Sequence, residues 1–215
     1  MVLAAPAGPS GRLASGLLAG ADAYAAVPYA SVAVATLVVR GLHTDRSGVL
    51  VPPGELPTIK AVTHSSVKWA WVREQAERAW GHGVAVVRVS VGRFGEASVL
   101  QLPDDALLER TVAEAGALPG WARVDVLDAR LTRWGGALPQ YRVGHRELVV
   151  GLRADLAATP GLALAGAALD GVGIAACLGS AVTAATKIID DLGRSALDQL
   201  PETDRPDSRR QESQP

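Results

Sequence analysis

The sequence is poor in cysteine, in net charge and in long apolar runs, and each shortage excludes a class of protein. A single cysteine, Cys177, cannot form an internal disulfide, so nothing indicates a secreted, oxidised protein, and we expect a cytoplasmic one. The 21 basic and 22 acidic residues nearly balance, so the basic face that nucleic-acid binding requires is not predicted. The four dispersed histidines have no cysteine or acidic residue at metal-ligand spacing, and no metal site is predicted.

No apolar run is long enough to span a bilayer. Asp22 and Pro28 interrupt the early candidate and Asp170 the late one, so no segment reaches the roughly 18 to 20 apolar residues required. The chain is therefore predicted not to be integral to a membrane, while peripheral contact stays open. Residues 1–6 have no basic n-region and end in Pro6, which favours a core strand over a signal peptide.

Motifs of several common reactions are absent as well. The chain has no Gly-x-Ser-x-Gly elbow and no Walker-type loop, which argues against hydrolase and nucleotide triphosphatase chemistry. Cys177 falls in a segment rich in small residues and is predicted to be a buried thiol rather than a nucleophile. No acid–base side chain stands out, so no catalytic residue is predicted.

The apolar patterns that are present predict a mixed α/β (α+β) fold. Continuous β-branched runs predict a mostly antiparallel sheet in the middle of the chain, and helix, strand, helix order follows Pro139. The predicted strands are 2–5, 31–39, 48–51, 58–64, 84–91, 122–134 and 162–167. The strand at 122–134 is expected to stop at Gly135 and Gly136. The predicted helices are 9–20, 71–80, 104–116, 144–158 and 172–192, the last capped by Gly193.

The most informative segment is a predicted strand that meets a glycine turn and then a helix. Gly171 and Gly173 let the backbone approach a ligand, and the free N–H groups of a helix start favour an anion or an electron-rich cofactor. A plain structural turn explains the same pattern equally well. The segment is not a dinucleotide fingerprint, because no third glycine follows at the required spacing and Asp190 and Asp191 lie in the same helix.

Several segments together resemble one family of enzymes. Residues 132–145 (TRWGGALPQYRVGH) and 164–177 (LAGAALDGVGIAAC) are similar to the C-terminal signature of protoporphyrinogen and coproporphyrinogen oxidases. Residues 66–69 (SVKW) and 88–96 (RVSVGRFGE) resemble substrate-domain segments of that family, and residues 2–7 (VLAAPA) resemble a strand in its middle. The resemblance covers nearly the whole chain except its polar tail.

The resemblance implies an FAD-dependent enzyme of the amine-oxidase-like superfamily. Such an enzyme oxidises a porphyrinogen during haem synthesis, and molecular oxygen reoxidises the flavin. The implied flavin contacts fall on Val172, Gly173 and Ile174, through N–H groups at the helix start, and on Trp134. Without the resemblance, Trp134 is interpreted as a core aromatic at a strand end. The substrate is coproporphyrinogen III or protoporphyrinogen IX, and the alanine-rich, lysine-poor composition, typical of a GC-rich bacterial genome, favours coproporphyrinogen.

The resemblance also implies the C-terminal part of a two-domain oxidase. The expected parts are an FAD-domain remnant (1–30), a substrate-binding domain (31–130), a closing segment of the Rossmann-like FAD domain (131–195) and a disordered tail (196–215). The family begins with a Gly-x-Gly-x-x-Gly turn that holds the ADP part of FAD, and this motif does not occur here. We therefore expect a truncated or split chain that binds FAD weakly alone, lacks an N-terminal FAD-binding portion, and is compatible with a homodimer.

Other interpretations stay open. One is a different amine-oxidase-like flavoprotein, such as a carotenoid desaturase, although residues 92–95 and 139–141 favour the porphyrinogen enzyme. Another is a non-catalytic fragment, or a subunit that requires a separate FAD-binding chain. Lys68, Arg88 and Arg93 could pair with porphyrinogen propionates, but basic residues on a half-exposed strand usually form its solvated face, so they are not assigned to the site.

Overall fold

The computed structural model describes residues 1–96 and 98–198, the last four by their backbone alone, and divides them into two compact units. The first unit combines Met1–Pro28 with the described residues from Pro139 onward, and the second is Tyr29–Leu138. Residues 196–198 of the predicted disordered tail are helical instead, and residues 199–215 lie outside the described part. The assignment of the units to cofactor and substrate stays a prediction.

The second unit is built on a five-stranded sheet in the order β3, β4, β5, β2, β6. The strands are β2 (Tyr29–Arg40), β3 (Gly48–Leu50), β4 (Ile59–Thr63), β5 (Val84–Val91) and β6 (Asp125–Pro139). Strand β5 pairs antiparallel with both β2 and β4, and β3 pairs antiparallel with β4. The predicted antiparallel sheet is therefore confirmed, and β5 has the predicted bounds because its β-branched run suits a buried strand.

The core of this unit lies on one face of the sheet. Alternate residues of β2 and β5 point to the same side, and Leu37, Val39, Val87 and Val89 are completely buried there. Helix α5 (Asp104–Ala115) and Trp121 pack against these side chains. Two further helices, α3 (Ser65–Lys68) and α4 (Ala70–Trp80), contact β5.

Two polar side chains, His64 and Glu114, hold the loops of this core. The completely buried His64 ring is tied through Nδ1 to the Arg46 carbonyl (2.7 Å), and its Nε2 accepts the indole N–H of Trp121 (3.4 Å). Glu114 of α5 accepts the amides of Thr58 (2.9 Å) and Ile59 (3.2 Å) at the start of β4. Each contact therefore joins a loop to an element of the core.

The first unit contains four helices and two short parallel strands in its described part. They are β1 (Val2–Leu3), α1 (Ala7–Leu13), α2 (Ala21–Ala25), α6 (His145–Ala157), β7 (Ala163–Leu164) and α7 (Ile174–Asp198). The amides of Ala163 and Ala165 donate to the carbonyls of Met1 and Leu3, which aligns β7 with β1. Ala163, Ala165 and Ala184 form a small core beneath α7, because small side chains allow the helix to approach the strand closely. None of the helices within the described ranges is both long and apolar enough to cross a membrane.

The helix predicted for residues 9–20 is too long, because α1 ends at Leu13 and the next helix, α2, begins only at Ala21. Gly16 adopts a positive φ of 77° between them, a backbone conformation that interrupts a helix. A Cβ at Gly11 would lie 2.5 Å from the Ala21 carbonyl oxygen, so the crossing of α1 and α2 depends on glycine. Leu13 and Leu17 are consequently exposed, and only Leu18 of the apolar series is buried.

The predicted ends of three other elements are also wrong. Strand β6 continues through Gly135 and Gly136 to Pro139, and the Gly136 amide donates to the Ser31 hydroxyl of β2 (2.9 Å). Helix α7 continues past Gly193, which has none of the positive φ of a helix-ending glycine. The strand predicted for 162–167 shortens to two residues, since Gly166 turns the chain with a φ of 126°.

We predict that Glu114 makes the stability of the chain depend on acidic pH. Burial raises the pKa of Glu114, but the hydrogen bonds from Thr58, Ile59 and Arg110 outweigh it and hold this pKa below its ordinary value of 4.5. The contribution of a lowered carboxyl is complete above the unfolded value and is lost as the pH falls through the folded pKa. Glu114→Gln should therefore cost about 1 kcal/mol at neutral pH, and less on acidification.

Urea unfolding of the wild type and of Glu114→Gln, followed from neutral pH to about pH 3, measures this difference. Glu109→Gln is the matched control, since Glu109 is exposed on the same helix. A constant difference between the wild type and Glu114→Gln across this range would contradict the prediction.

Candidate cofactor-binding site

The candidate site is the turn that leads from β7 into α7, residues 165–173. Gly166 and Gly171 adopt φ values of 126° and 152°, which side-chain-bearing residues rarely adopt. A Cβ at Gly171 would also lie 2.9 Å from the Cβ of Ala176. Ala176 occupies the position that the third glycine has in a Gly-x-Gly-x-x-Gly motif. The turn therefore requires glycine at position 171 both for conformation and for space.

Side chains from three other segments hold this turn, two of them through its main chain and one through the Asp170 carboxylate. The Ser180 hydroxyl accepts the Gly166 amide (2.9 Å) and donates to the Cys177 carbonyl (2.8 Å), which ties the turn to α7. The Tyr141 hydroxyl donates to the Ala167 carbonyl. Arg153 of α6 forms an ion pair with Asp170, with nitrogen–oxygen distances of 2.6 and 2.8 Å. Sequence reasoning gave none of these side chains a role.

The predicted flavin contacts Val172, Gly173 and Ile174 lie together at the start of α7. The Cys177 amide donates to the Gly173 carbonyl (3.0 Å), so Gly173 is the N-cap and the helix begins at Ile174. The amides of a first helical turn have no acceptor within their own helix. Val172 and Ile174 are 53% and 82% exposed, so this helix start is open to a ligand.

Cys177 follows on the first turn of α7 and is only partly buried. Its Sγ lies 3.7 Å from the Gly171 carbonyl oxygen, within reach of a weak hydrogen bond. The thiol thus contributes a further contact between α7 and the glycine turn. Within the described residues, no three His, Cys, Asp or Glu side chains gather to hold a metal ion.

Trp134, the fourth predicted contact, belongs to the second unit and lies inside β6. Its side chain is 52% exposed, so the alternative of a core aromatic at a strand end is wrong. Its neighbour Arg133 donates to the carbonyls of Leu100 (2.6 Å) and Leu102 (2.7 Å) and pairs with Asp104 (2.7 Å). The strand around Trp134 is therefore firmly positioned, while the indole itself is available for contact.

The basic residues considered for propionate binding have different environments. One guanidinium nitrogen of Arg93 donates to the carbonyls of Val51 (2.6 Å), Ile59 (3.2 Å) and, more weakly, Pro52 (3.4 Å). Arg93 therefore holds the loop before β4 to the end of β5. Lys68 and Arg88 are exposed.

A cavity of about 580 Å³ lies between α6 and α7, with β7 among its walls. Its rim carries the Arg153–Asp170 pair and a second pair, Lys187–Asp191 (2.5 Å). The hydrogen bond from Lys187, followed by that from the Gly161 amide, holds the pKa of Asp191 below its ordinary value. Four of the six charged residues that line this cavity thus have partners within the protein, and the other two are Asp190 and Arg194.

We predict opposite effects for alanine at two glycines of this region. Gly171→Ala should lower the free energy of unfolding by about 1–3 kcal/mol, because it forces a side chain into a strained conformation against Ala176. Gly179→Ala should raise it by about 0.5–1 kcal/mol, because Gly179 is exposed inside α7 with no atom near its Cβ position.

Urea denaturation of both variants tests this pair, and Gly179→Ala controls for the general effect of adding a methyl group. Equal effects at the two positions would show that the turn does not depend on glycine at 171.

Known proteins similar to this chain were found by sequence. No family model matches it. The coproporphyrinogen III oxidase of Mycobacterium tuberculosis strain H37Rv is 40% identical over 195 residues, which are 89% of this chain and 40% of that protein. The coproporphyrinogen III oxidase of Propionibacterium freudenreichii is 31% identical over 88% of this chain and 35% of its own length. The chain thus spans about two fifths of the curated relatives that it matches.

Solved structures share the fold. A crystal structure of a protein provisionally named protoporphyrinogen oxidase, from Exiguobacterium sp. 255-15, matches 89% of this chain and 41% of its own with a TM-score of 0.68 at 24% identity. Reduced UDP-galactopyranose mutase matches 74% of this chain and 33% of its own with a TM-score of 0.54 at 16% identity. These matches confirm the predicted mixed α/β class. Together with the sequence relatives, they confirm the resemblance: over nearly nine-tenths of its length, the chain is a relative of part of the coproporphyrinogen III oxidases.

Proposed function

We propose that this chain forms the closing part of the flavin site and the substrate-binding sheet of an FAD-dependent porphyrinogen oxidase. The observation that carries the proposal is the exposed helix start at Val172, Gly173 and Ile174, held by a glycine turn, in a chain 40% identical to coproporphyrinogen III oxidases. On this proposal, residues 1–30 and 131–195 belong to the cofactor domain, and residues 31–130 bind the substrate.

The residues at the helix start fit an isoalloxazine ring. Val172 and Ile174 present apolar side chains, and the first-turn amides of α7 provide donors and partial positive charge for the polar edge of the ring. Gly173 has no side chain to obstruct the approach, and no other atom lies near its Cβ position. Trp134 stays a predicted flavin contact.

The cofactor's contribution would be redox chemistry, the removal of hydrogen from the porphyrinogen ring with molecular oxygen as the final acceptor. The protein's contribution is to bind and orient the cofactor and the substrate. Conversion of coproporphyrinogen III to coproporphyrin III is the favoured reaction, since the sequence relatives carry that name, and protoporphyrinogen IX is the other candidate substrate. The role in haem synthesis and the cytoplasmic location are parts of the same proposal.

A chimera tests the flavin contact. In the chimera, this chain replaces the two fifths of the Mycobacterium tuberculosis coproporphyrinogen III oxidase that it matches. The substitution Ile174→Glu is then made in the chimera. We expect the flavin content of the purified chimera to fall on the order of tenfold or more, because the carboxylate would be desolvated against the ring.

Val150→Glu is the matched control, because Val150 is 65% exposed on α6 and makes no part of the proposed contact. Flavin absorbance per protein and oxidation of coproporphyrinogen III are the measurements. Full flavin content in Ile174→Glu would remove Ile174 from the site.

A second candidate, a subunit that works only with a separate FAD-binding chain, is favoured by the outer face of α7. Ile174, Leu178, Val182, Ile189 and Leu192 are exposed, and their spacing places them on one side of the helix. An apolar stripe of this length is typical of an interface. The short parallel sheet of β1 and β7 could likewise extend by pairing with further parallel strands.

We predict that FAD binds the chain alone more weakly than about 1 μM, because the sequence has no glycine-rich pyrophosphate turn. Adding the portion of the Mycobacterium tuberculosis relative that this chain does not match should restore FAD binding. The substitution Ile189→Glu in this chain should prevent that recovery. Leu13→Glu, at an exposed residue of α1, is the control. Calorimetric titration and co-elution measure the outcome, and sub-micromolar binding by the chain alone would contradict it.

A further inference from the structure

Tyr141 and His145 form a stacked pair just before and at the start of α6. Their ring centroids are 4.2 Å apart and their planes differ by 10°. A turn produces this arrangement, since the His145 amide donates to the Arg142 carbonyl (3.0 Å) and Gly144 takes a positive φ of 86°. The turn brings the second ring back over the first, and the pair lies wholly within the first unit.

A hydrogen bond of Tyr141 connects the stacked pair to the candidate site. The Tyr141 hydroxyl donates to the carbonyl of Ala167, one residue after Gly166 and three residues before Asp170. Ser180 holds the Gly166 amide and Arg153 holds the Asp170 carboxylate, so Tyr141 supplies the contact in the middle of the turn. Displacing the phenol would remove this contact from the middle of the turn.

The contact of His145 with Tyr141 uses the face of the imidazole and not its nitrogen atoms. His145 is 9% exposed, and its Nε2 is buried without a hydrogen-bond partner among the described residues. A buried polar atom without a partner destabilises a fold, so Nε2 does not stabilise this one. Any stabilisation by the His145 ring therefore comes from its stacking on Tyr141. An aromatic ring without nitrogen should therefore hold Tyr141 equally well.

We propose that His145 is a positioning residue, whose ring holds Tyr141 so that the Tyr141 hydroxyl fixes the Ala167 carbonyl and with it the turn that presents Val172 to Ile174. This inference rests on the proposed function only for the role of the turn as a flavin contact. The coupling of His145 through Tyr141 to the Ala167 carbonyl is a property of this chain. His145 touches no reacting atom in this arrangement and acts only through Tyr141.

Amide hydrogen exchange of the full chain tests the coupling without any cofactor. The reporters are the amides of Gly166, bonded to Ser180, and Leu169, bonded to the Gly166 carbonyl (3.3 Å). We expect His145→Ala and Tyr141→Phe each to accelerate their exchange at least tenfold, because both variants release the Ala167 carbonyl. His145→Phe keeps the stack and should exchange within about threefold of the wild type.

Controls separate local positioning from general destabilisation. The amide of Leu152 reports on α6, and the amides of Val87 and Val89 report on the second unit. Unchanged Gly166 and Leu169 amides in His145→Ala, equal acceleration at Leu152, or a His145→Phe variant as perturbed as His145→Ala would each overturn the proposal. The double variant Tyr141→Phe with His145→Ala should exchange no faster than either single variant, since on this proposal both act through the bond to the Ala167 carbonyl.

A second measurement in the chimera distinguishes this inference from the proposed function. If the turn contacts the flavin, Tyr141→Phe and His145→Ala should shift the visible flavin absorption bands and the reduction potential in the same direction, and His145→Phe should not. Accelerated exchange with an unchanged flavin spectrum would leave the positioning role intact and refute the flavin contact at this turn.

Discussion

The hydrogen bonds to residues 166 and 167 determine how the first unit presents the start of α7 to a ligand. Between β7 and α7 the chain must leave a strand, reverse through two glycines with positive φ and begin a helix of 25 residues. Ser180 fixes the amide on one side of this reversal, and Tyr141 fixes the next carbonyl. Because both contacts reach the main chain, the direction in which α7 begins is set before any ligand arrives, as a preorganised site requires.

The second unit uses the same device in its loops. Glu114 holds the amides at the start of β4, and one nitrogen of Arg93 holds three carbonyls on either side of the loop before that strand. Arg133 holds two carbonyls before α5. Charged donors and acceptors make stronger hydrogen bonds than neutral ones, so a few long side chains can fix segments that have no regular partner. A consequence is that Arg93 and Glu114 are committed to structure, which separates them from the exposed Lys68 and Arg88.

Sequence reasoning found the elements whose pattern is local and missed the contacts that depend on folding. Residues 84–91 were predictable because an uninterrupted β-branched run suits a buried strand whatever surrounds it. Gly193 misled because it lies within α7 without the positive φ of a left-handed capping glycine, and the sequence does not show which φ a glycine adopts. Tyr141 and His145 lay in a recognised motif, yet their stacking depends on the turn at Gly144, and the bond to Ala167 joins residues that are 26 apart in sequence. Ser180 gave no signal, since serine in a small-residue helix is common.

The two sides of α7 have the reverse of the usual distribution for a surface helix. The side packed on β7 carries Ala184, Ser180 and a single large apolar residue, the partly buried Ile188, whereas the opposite side exposes Ile174, Ile189 and Leu192. A helix on a finished surface places its large apolar residues inward and its polar residues outward. Small inward residues allow close approach to the strand, and large outward ones bury area only when something further covers them. The first apolar residue of this outer face is also the first residue of the helix, so a covering surface and a cofactor at the helix start would meet at Ile174. Cofactor binding and assembly are therefore expected to be coupled, since each would remove water from the same apolar side chain.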